Sequence, residues 1–186
     1  MIRRTPGDGR YARVEREQRW VLGALPDGIE DPVDISDRYF THSTLRLRQM
    51  KSESGTVRKL GQKVRLNPES PEVVKMTNLY LNEEEFALFA DLVGAPLLKT
   101  RWRWSVDEQI LTVDQFAGDL DGLVLAEIEL TPDGPYLDPP ALAIADVTDD
   151  DRFSGGNLAH LSRIEAVHLL AQVTEMKIIP KIDDPS

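Results

Sequence analysis

The sequence has 186 residues and a formal net charge of −10, with 22 Lys and Arg against 32 Asp and Glu. This length fits one domain with its own core, and the acidic balance argues against nucleic acid as the main partner, because binding a phosphate backbone needs a basic face. There is no cysteine, which excludes disulfides and thiolate metal sites, and no apolar run is long enough to span a bilayer, so a cytoplasmic protein without a membrane partner is expected.

The chain is predicted to hold one domain between a leader and a tail. Residues 1–12 include Pro6, Gly7 and Gly9, a composition typical of a flexible leader. Residues 13–178 are predicted to form the single domain, and residues 179–186 a polar tail.

Eight strands are predicted from short runs in which apolar residues alternate with polar ones. The stretch from Pro26 to Pro32 is rich in Asp, Gly and Pro, so it is predicted to be a loop after the first strand. The predicted strands span about 13–22, 34–41, 43–50, 57–66, 73–81, 96–104, 109–117 and 122–131.

Two helices are predicted. Asn82 begins the first, which runs to about residue 93, because Glu85 lies at the capping-box spacing from it. The second runs from about Asn157, interpreted as its cap, to about Thr174. The predicted buried stripes are Phe86, Leu88, Phe89, Leu92 and Val93 on the first helix, and Leu158, Leu161, Ile164, Val167 and Leu170 on the second.

These elements predict an α+β fold, an eight-stranded antiparallel β-barrel with helices packed outside. Several strands carry charged residues at every second position, and a strand sends alternate side chains to opposite faces. The apolar faces are expected to lie under the two helices, so the charged faces would point into the barrel. They carry Glu15, Glu17 and Arg19; Arg46 and Arg48; Lys63 and Arg65; Lys99 and Arg101; and Glu127 and Glu129.

Such an interior is a candidate ion site. Burying unpaired charges costs several kcal/mol each, and water, a metal ion and an anionic ligand would offset that cost. The alternative is a set of solvated strand faces with ordinary salt bridges. The alternation of charged residues recurs on two acidic and several basic strands, and this favours the ion site. Lys59 shares the charged face of Lys63 and Arg65, but a surface position is the alternative for Lys59 and for Arg103. Trp102 and Trp104 are interpreted as core.

In their order and spacing, these segments resemble the CYTH family, the triphosphate tunnel metalloenzymes. The family's Glu-x-Glu-x-Lys signature appears as Glu15-x-Glu17-x-Arg19, and the likeness runs from about residue 13 to residue 172. The other matching elements are Arg46 and Arg48 for Arg-x-Arg; Lys99, Arg101 and Trp102 for Lys-x-Arg-aromatic; Asp114, Phe116 and Gly118 for Asp-x-Phe-x-Gly; and Glu127 and Glu129 for Glu-x-Glu.

The resemblance implies a tunnel that binds a triphosphate with Mg²⁺ or Mn²⁺. Members hydrolyse inorganic triphosphate, thiamine triphosphate or nucleoside triphosphates, and a branch cyclises ATP. By position, the metal ligands would be Glu15, Glu17, Glu127 and Glu129; the substrate-binding residues Arg46, Arg48, Lys63, Arg65, Lys99, Arg101 and Asp114; and the catalytic residues Arg19, Glu17 and Tyr39.

Two departures from the family pattern bear on catalysis. Arg19 replaces the signature lysine, and an arginine cannot act as a base near neutral pH. Met76 and Asn78 fall where the family has inward carboxylates. The expected function is a metal-dependent hydrolase of inorganic triphosphate or a small organic triphosphate. The alternatives are a binding module without turnover and an adenylate cyclase. Homodimers are common among such barrels, so a homodimer is one expected state.

Overall fold

The computed structural model describes residues 10–65, 73–106 and 108–175. Residues 1–9 of the predicted leader and the whole predicted tail lie outside this part of the chain. Short 3₁₀ turns occur at Gly118–Leu120 and Asp151–Phe153. The described strands are β1 (Arg13–Leu22), β2 (Ile29–Phe40), β3 (Leu45–Ser52), β4 (Gly55–Arg65), β5 (Val73–Leu81), β6 (Gly94–Val106), β7 (Gln109–Phe116), β8 (Val124–Leu130) and β9 (Ala143–Asp146), and the helices are α1 (Glu83–Ala90), α2 (Gly155–Leu158) and α3 (Arg163–Glu175).

Eight of these strands close into an antiparallel barrel, which confirms the predicted fold. They hydrogen-bond in the order β5-β4-β3-β2-β6-β7-β8-β1, and pairing of β1 with β5 closes the ring. The ninth strand, β9, pairs with β1 from Trp20 to Leu22, beyond the Arg13–Arg16 segment that pairs with β5. The sequence does not predict β9, because its four residues are too few for a readable alternation.

The second strand begins earlier than predicted. β2 starts at Ile29, inside the stretch from Pro26 to Pro32 that is predicted as a loop. A bulge between Glu30 and Val33 interrupts its register with β6, and Asp31 has a positive φ of 53° there. The Asp- and Pro-rich stretch therefore supplies the end of the connection between β1 and β2 and, from Ile29 onward, a bulge within β2.

Apolar side chains fill one end of the barrel interior. Val21, Leu97, Phe116 and Leu125 share the inward parity of the charged residues on their strands and belong to one buried cluster. Burying such a side chain contributes about 1.5–3 kcal/mol. The segment from β9 to α3 completes the cluster through Ala145, Val147, Phe153, Leu158, Ala166, Leu169 and Val173.

A second cluster covers the outer face of β1, β7 and β8. Leu137, from the connection between β8 and β9, packs on it, as do Ala143 of β9 and the indoles of Trp102 and Trp104. The prediction that helices cover the apolar faces is wrong here, because a connection does so instead. The side-chain amide of Gln18 holds this connection by donating to the Leu137 carbonyl at 3.0 Å and accepting from its N–H at 2.8 Å. The buried members are Trp20, Leu22, Leu111, Val113, Val124 and Ala126.

The capping box predicted for the first helix is confirmed, but its buried stripe is wrong. Asn82 Oδ1 accepts from the Glu85 N–H at 2.8 Å, and Glu85 Oε2 accepts from the Asn82 N–H at 2.9 Å. The helix ends at Ala90, and none of its residues is fully buried, because it rests on the outside of β3, β4 and β5. The exposed members of the predicted stripe are Leu88, Leu92 and Val93.

The predicted last helix is two helices with different phases. α2 ends at Leu158, and a new capping box begins α3, in which Ser162 N–H donates to Glu165 Oε2 at 2.8 Å. This break rotates the buried face, so the predicted stripe is wrong for its middle residues. None of the described helices has the length and apolar character needed to cross a membrane. The buried residues of α3 are Ala166, Leu169 and Val173, whereas Ile164 and Val167 are exposed.

Candidate functional site

The charged faces of the strands line one cavity inside the barrel. Its volume is about 610 Å³, within the range of small-molecule sites. Lys59, Gly61, residues of β5 and the segment from Thr148 to Asn157 complete its wall. Among the predicted site residues, only Asp114 does not line it. The predicted residues on the wall are Glu15, Glu17, Arg19, Tyr39, Arg46, Arg48, Lys63, Arg65, Lys99, Arg101, Glu127 and Glu129.

A buried aspartate that sequence reasoning missed holds the two arginines of β3. Asp37 is 2% exposed and accepts two hydrogen bonds of 2.6 Å from Arg48, while Arg46 Nε lies 3.8 Å from its carboxylate. Burial would raise the pKa of Asp37, but Arg48 and Arg46 lower it below its ordinary value. Asp37 shares the inward parity of Tyr39 on β2, and this signal could have found it.

Asp114 holds the two bases of β6, Lys99 and Arg101, in the way that Asp37 holds the arginines of β3. It forms a close ion pair with Lys99, and Arg101 donates to its two oxygens at 2.7 and 2.6 Å. Its carboxylate is 1% exposed and lies behind the bases, not among the described residues on the cavity wall. Burial would raise the pKa of Asp114, but Lys99 and Arg101 lower it. The structure therefore gives Asp114 contacts that orient the bases.

On the acidic side, Arg19 bridges two glutamates from neighbouring strands. Its Nε donates to Glu127 at 2.7 Å and a terminal nitrogen donates to Glu17 at 3.0 Å. Lys63 reaches Glu17 at 3.0 Å, and Arg101 reaches Glu127 at 2.9 Å. Burial would lower the pKa of Arg19, but Glu127 and Glu17 raise it above its ordinary value. Arg19 is therefore a fixed cation within the acidic side.

The other two glutamates form no ion pair in the described part of the chain. Glu15 and Glu129 flank Glu17, whose cross-strand neighbour is Glu129. Burial and the negative charges of Glu17 and Glu129 raise the pKa of Glu15, because like charges lie close together here. Among the described residues, no three carboxylate or imidazole groups are already arranged around one point as a metal centre. The hard oxygen donors and their mutual repulsion nevertheless fit a divalent cation.

The structure decides between the two positions expected for Lys59. It lines the cavity, so the alternative of a surface position is wrong for it, whereas Arg103 pairs with Glu30 and Asp31 at exposed positions. Among the described basic side chains on the cavity wall, Lys59 alone forms no ion pair. Burial and the charges of Arg48, Arg46 and Arg101 lower its pKa to about 8. Lys59 shares the parity of Lys63 on β4, a signal that was sufficient to place it.

The segment from Thr148 to Asn157, here called the capping segment, lies over the wall at Arg19 and Tyr39. Thr148 Oγ1 accepts from the Arg19 N–H at 3.0 Å, and Asp151 pairs closely with Arg65. A Cβ at Gly155 would overlap the Tyr39 hydroxyl, so glycine allows this close approach. Burial raises the pKa of Tyr39, which keeps its phenol neutral. Ser154, and not Asn157, caps α2.

Comparison with known proteins gives one curated relative and several similar solved structures. No protein-family model matches the chain. The chain is 29% identical over 162 residues to an inorganic triphosphatase of Nitrosomonas europaea, a match that covers 78% of this chain and 97% of that protein. This similarity agrees with the resemblance of the strand-by-strand charged pairs to the CYTH family.

Two crystal structures, both of the same protein, share the fold of this chain. One, an inorganic triphosphatase, superimposes with a TM-score of 0.54 at 24% identity, covering 78% of this chain and 93% of that one. The other, described as a hypothetical protein, gives a TM-score of 0.55 at 22% identity, covering 80% of this chain and 99% of that one. At these identities the two structures establish the fold of the chain and nothing more.

Proposed function

We propose that this protein is a member of the CYTH family and hydrolyses a triphosphate bound in the barrel cavity. One arrangement carries the proposal: bases held by the buried Asp37 and Asp114 face, across a single cavity, glutamates that form no ion pair in the described structure. The relative named as an inorganic triphosphatase supports a reaction at a triphosphate.

The bases of β3, β4 and β6, here called the basic wall, suit a phosphate chain. The guanidinium groups of Arg46, Arg48 and Arg101 present planar N–H donors that match phosphate oxygens. Their carboxylate anchors fix their orientation, so binding loses less side-chain entropy. Lys59 has no carboxylate to leave when it binds a phosphate. The basic wall consists of Arg46, Arg48, Lys59, Lys63, Lys99 and Arg101.

The glutamates of β1 and β8, here called the acidic wall, suit Mg²⁺ or Mn²⁺. We infer that Glu15 and Glu129 would hold the cation, because neither forms an ion pair among the described residues. Glu17 and Glu127 would join them if the ligand drew Lys63 and Arg101 away. Once bound, the cation would polarise a phosphoryl oxygen and offset its negative charge.

In the proposed reaction, a water oxygen attacks the terminal phosphorus in line with the bridging oxygen. A P–O bond to water forms while the bridging P–O bond breaks, and the remainder of the chain leaves with the bonding electron pair. The proton of the water passes to solvent. Arg48, Lys99 and Arg101 stabilise the charge on the phosphoryl and leaving oxygens, since all three cations line the cavity.

The predicted catalytic residues take limited roles in this mechanism. Arg19 remains charged, so it stabilises negative charge and keeps Glu17 and Glu127 in place but does not accept a proton. Tyr39 remains a neutral phenol because burial raises its pKa, so it donates a hydrogen bond to the ligand. Neither residue serves as the general base, and bulk water takes up the proton.

Phosphate release tests the proposal. The full chain is incubated with inorganic triphosphate, ATP or thiamine triphosphate, each with Mg²⁺ or Mn²⁺. We expect release from at least one of them, lost in Arg101→Ala and retained in Arg103→Ala. Arg103 is the matched control, since it lies on the same strand but pairs with Glu30 and Asp31 away from the cavity. Absence of release from all three, with either metal, would overturn the proposal.

A module that binds a triphosphate without turnover is the second candidate. Arg19 favours it, because this residue occupies Glu17 and Glu127 and cannot act as a base. A ligand at one hundred times its dissociation constant raises the free energy of unfolding by about 2.7 kcal/mol, which a thermal shift detects. Such a shift without phosphate release supports the binding module. Release that is lost in Glu127→Gln, with binding retained, contradicts it.

A further inference from the structure

One strand of the cavity wall presents neither an acid nor a base to the cavity. The inward residues of β5 are Val74, Met76 and Asn78, between the basic β4 and the acidic β1. Val74 and Met76 are 3% and 8% exposed, and they form an apolar strip on an otherwise ionic wall. Such side chains attract neither phosphate nor a cation, so the strip suits a different part of a ligand.

Asn78 places an unpaired acceptor beside this strip. Its Oδ1 is buried and has no hydrogen-bond partner among the described residues. Its cross-strand neighbour is Gly61, and a Cβ there would lie only 3.1 Å from this oxygen. A buried acceptor needs a donor, and ionised phosphate and carboxylate oxygens are themselves acceptors. A ligand that carries an N–H or O–H group can satisfy it.

Arg46 lies on the other side of Gly61, which pairs with Arg46 on β3 and with Asn78 on β5. The Nε of Arg46 is also buried without a hydrogen-bond partner among the described residues. A donor that suits a phosphate oxygen and an acceptor that suits an organic N–H or O–H group therefore lie side by side. They mark the place where the basic wall meets the apolar strip.

We propose that the substrate is an organic triphosphate and not inorganic triphosphate, an inference that rests on the proposed function. Arg46 binds the phosphate that carries the organic group. Met76 and Val74 pack against the apolar part of that group, and Asn78 Oδ1 accepts a hydrogen bond from its N–H or O–H. Inorganic triphosphate leaves both the strip and the acceptor without a partner.

Specificity constants measure this discrimination. We expect kcat/KM for ATP or thiamine triphosphate to exceed that for inorganic triphosphate by at least about tenfold, the scale of a hydrogen-bond or packing difference. Asn78→Leu removes the acceptor and is expected to lower this organic-to-inorganic ratio at least about fivefold. Met76→Gln, a near-isosteric polar change, lowers the same ratio and serves if Asn78→Leu does not fold. Lys75→Gln is the control, because Lys75 lies on the opposite face of β5.

Dissociation constants from calorimetry separate this inference from the proposed function. If no triphosphate is cleaved, the proposed function fails, but tighter binding of ATP or thiamine triphosphate than of inorganic triphosphate still supports the organic ligand. The inference is overturned if inorganic triphosphate is bound and cleaved at least as well as both organic compounds. It is also overturned if the β5 variants weaken all the ligands equally.

Discussion

The basic and acidic walls of the cavity are built from the same alternation of charged residues, but they are held in different ways. On the basic wall, Asp37 and Asp114 are almost fully buried and fix four cations from behind. On the acidic wall, Arg19 fixes Glu17 and Glu127 from within, while Glu15 and Glu129 form no ion pair among the described residues.

This difference matches the two kinds of ligand in the proposed function. A phosphate chain is bound best by donors that already point at its oxygens, and a buried acid behind each pair of bases provides that orientation. A divalent cation needs carboxylates that are not neutralised in advance. The basic wall is therefore rigid before binding, and the acidic wall keeps part of its repulsion until a cation arrives.

The largest expected effect comes from removing the support of the basic wall. Asp114→Asn leaves Lys99 and Arg101 without their buried counter-charge, and breaking such a pair costs about 3–5 kcal/mol. Urea denaturation measures this loss in the free energy of unfolding. The control is Asp34→Asn, an exposed acid on β2 that accepts a hydrogen bond from Thr100 at 2.9 Å. Similar, small losses in both variants would mean that the basic wall does not depend on its buried anchors.

On the acidic wall, removing a charge is expected to raise the free energy of unfolding instead of lowering it. A raised carboxyl pKa means that the ionised form is disfavoured in the folded state, so Glu15→Gln stabilises the unliganded protein at pH 7. Mn²⁺ at one hundred times its dissociation constant should raise the free energy of unfolding by about 2.7 kcal/mol, which a rise in the melting temperature detects. With Glu129→Gln added, the protein should lose this stabilisation. Glu30→Gln, at an exposed ion pair, is the control. If Mn²⁺ still raises the melting temperature of the double variant, the cation does not bind at the acidic wall.

The charge of Lys59 is expected to lower the free energy of unfolding but to strengthen triphosphate binding. Its folded pKa of about 8 is below the ordinary 10.5, so the unfolded chain binds more protons between these values and stability rises with pH there. Triphosphate binding should weaken over the same range as the charge is lost. Lys59→Met is expected to weaken binding about tenfold, or 1.4 kcal/mol, and to stabilise the unliganded protein. Calorimetry at pH 7 and pH 9 measures the affinity, with Lys51→Met, an exposed change on β3, as control. If Lys59→Met binds triphosphate with unchanged affinity, Lys59 does not contact the ligand.

The smallest effect is expected at the capping segment. In Gly155→Ala the new methyl group displaces the Tyr39 hydroxyl, which should cost about 1 kcal/mol because a side-chain end can shift. Gly156→Ala is a matched control, since a Cβ there would lie 3.7 Å from the Tyr39 ring, an ordinary contact. Melting temperatures and triphosphate affinities compare the two variants. Equal results would mean that the close contact between Tyr39 and Gly155 is not needed.

Alternation along each strand was sufficient to predict the barrel and most of the cavity wall. Arg46 and Arg48, or Lys99 and Arg101, point the same way in any strand, because the two-residue period is a property of the backbone. The same alternation puts Lys59 on the face of Lys63, and the alternative of a surface position was wrong. The reasoning missed Asp37, a single acid without a charged neighbour at i+2 on its strand.

The helices show where sequence patterns are insufficient. The capping box at Asn82 is local and was read correctly, but burial depends on what the helix rests against, and α1 buries no residue fully. In the same way, the break at Ser162 changed the phase of the last helix and exposed Ile164 and Val167.

The sequence by itself determined which side chains share a face, since that follows from the geometry of one strand. Only the closed barrel decided which charges meet, because ion pairs such as Arg19 with Glu127 and Lys63 with Glu17 join residues 108 and 46 positions apart. It also decided which charged residues of the described cavity wall form no ion pair, Glu15, Glu129 and Lys59, and the proposed function assigns these groups to a ligand.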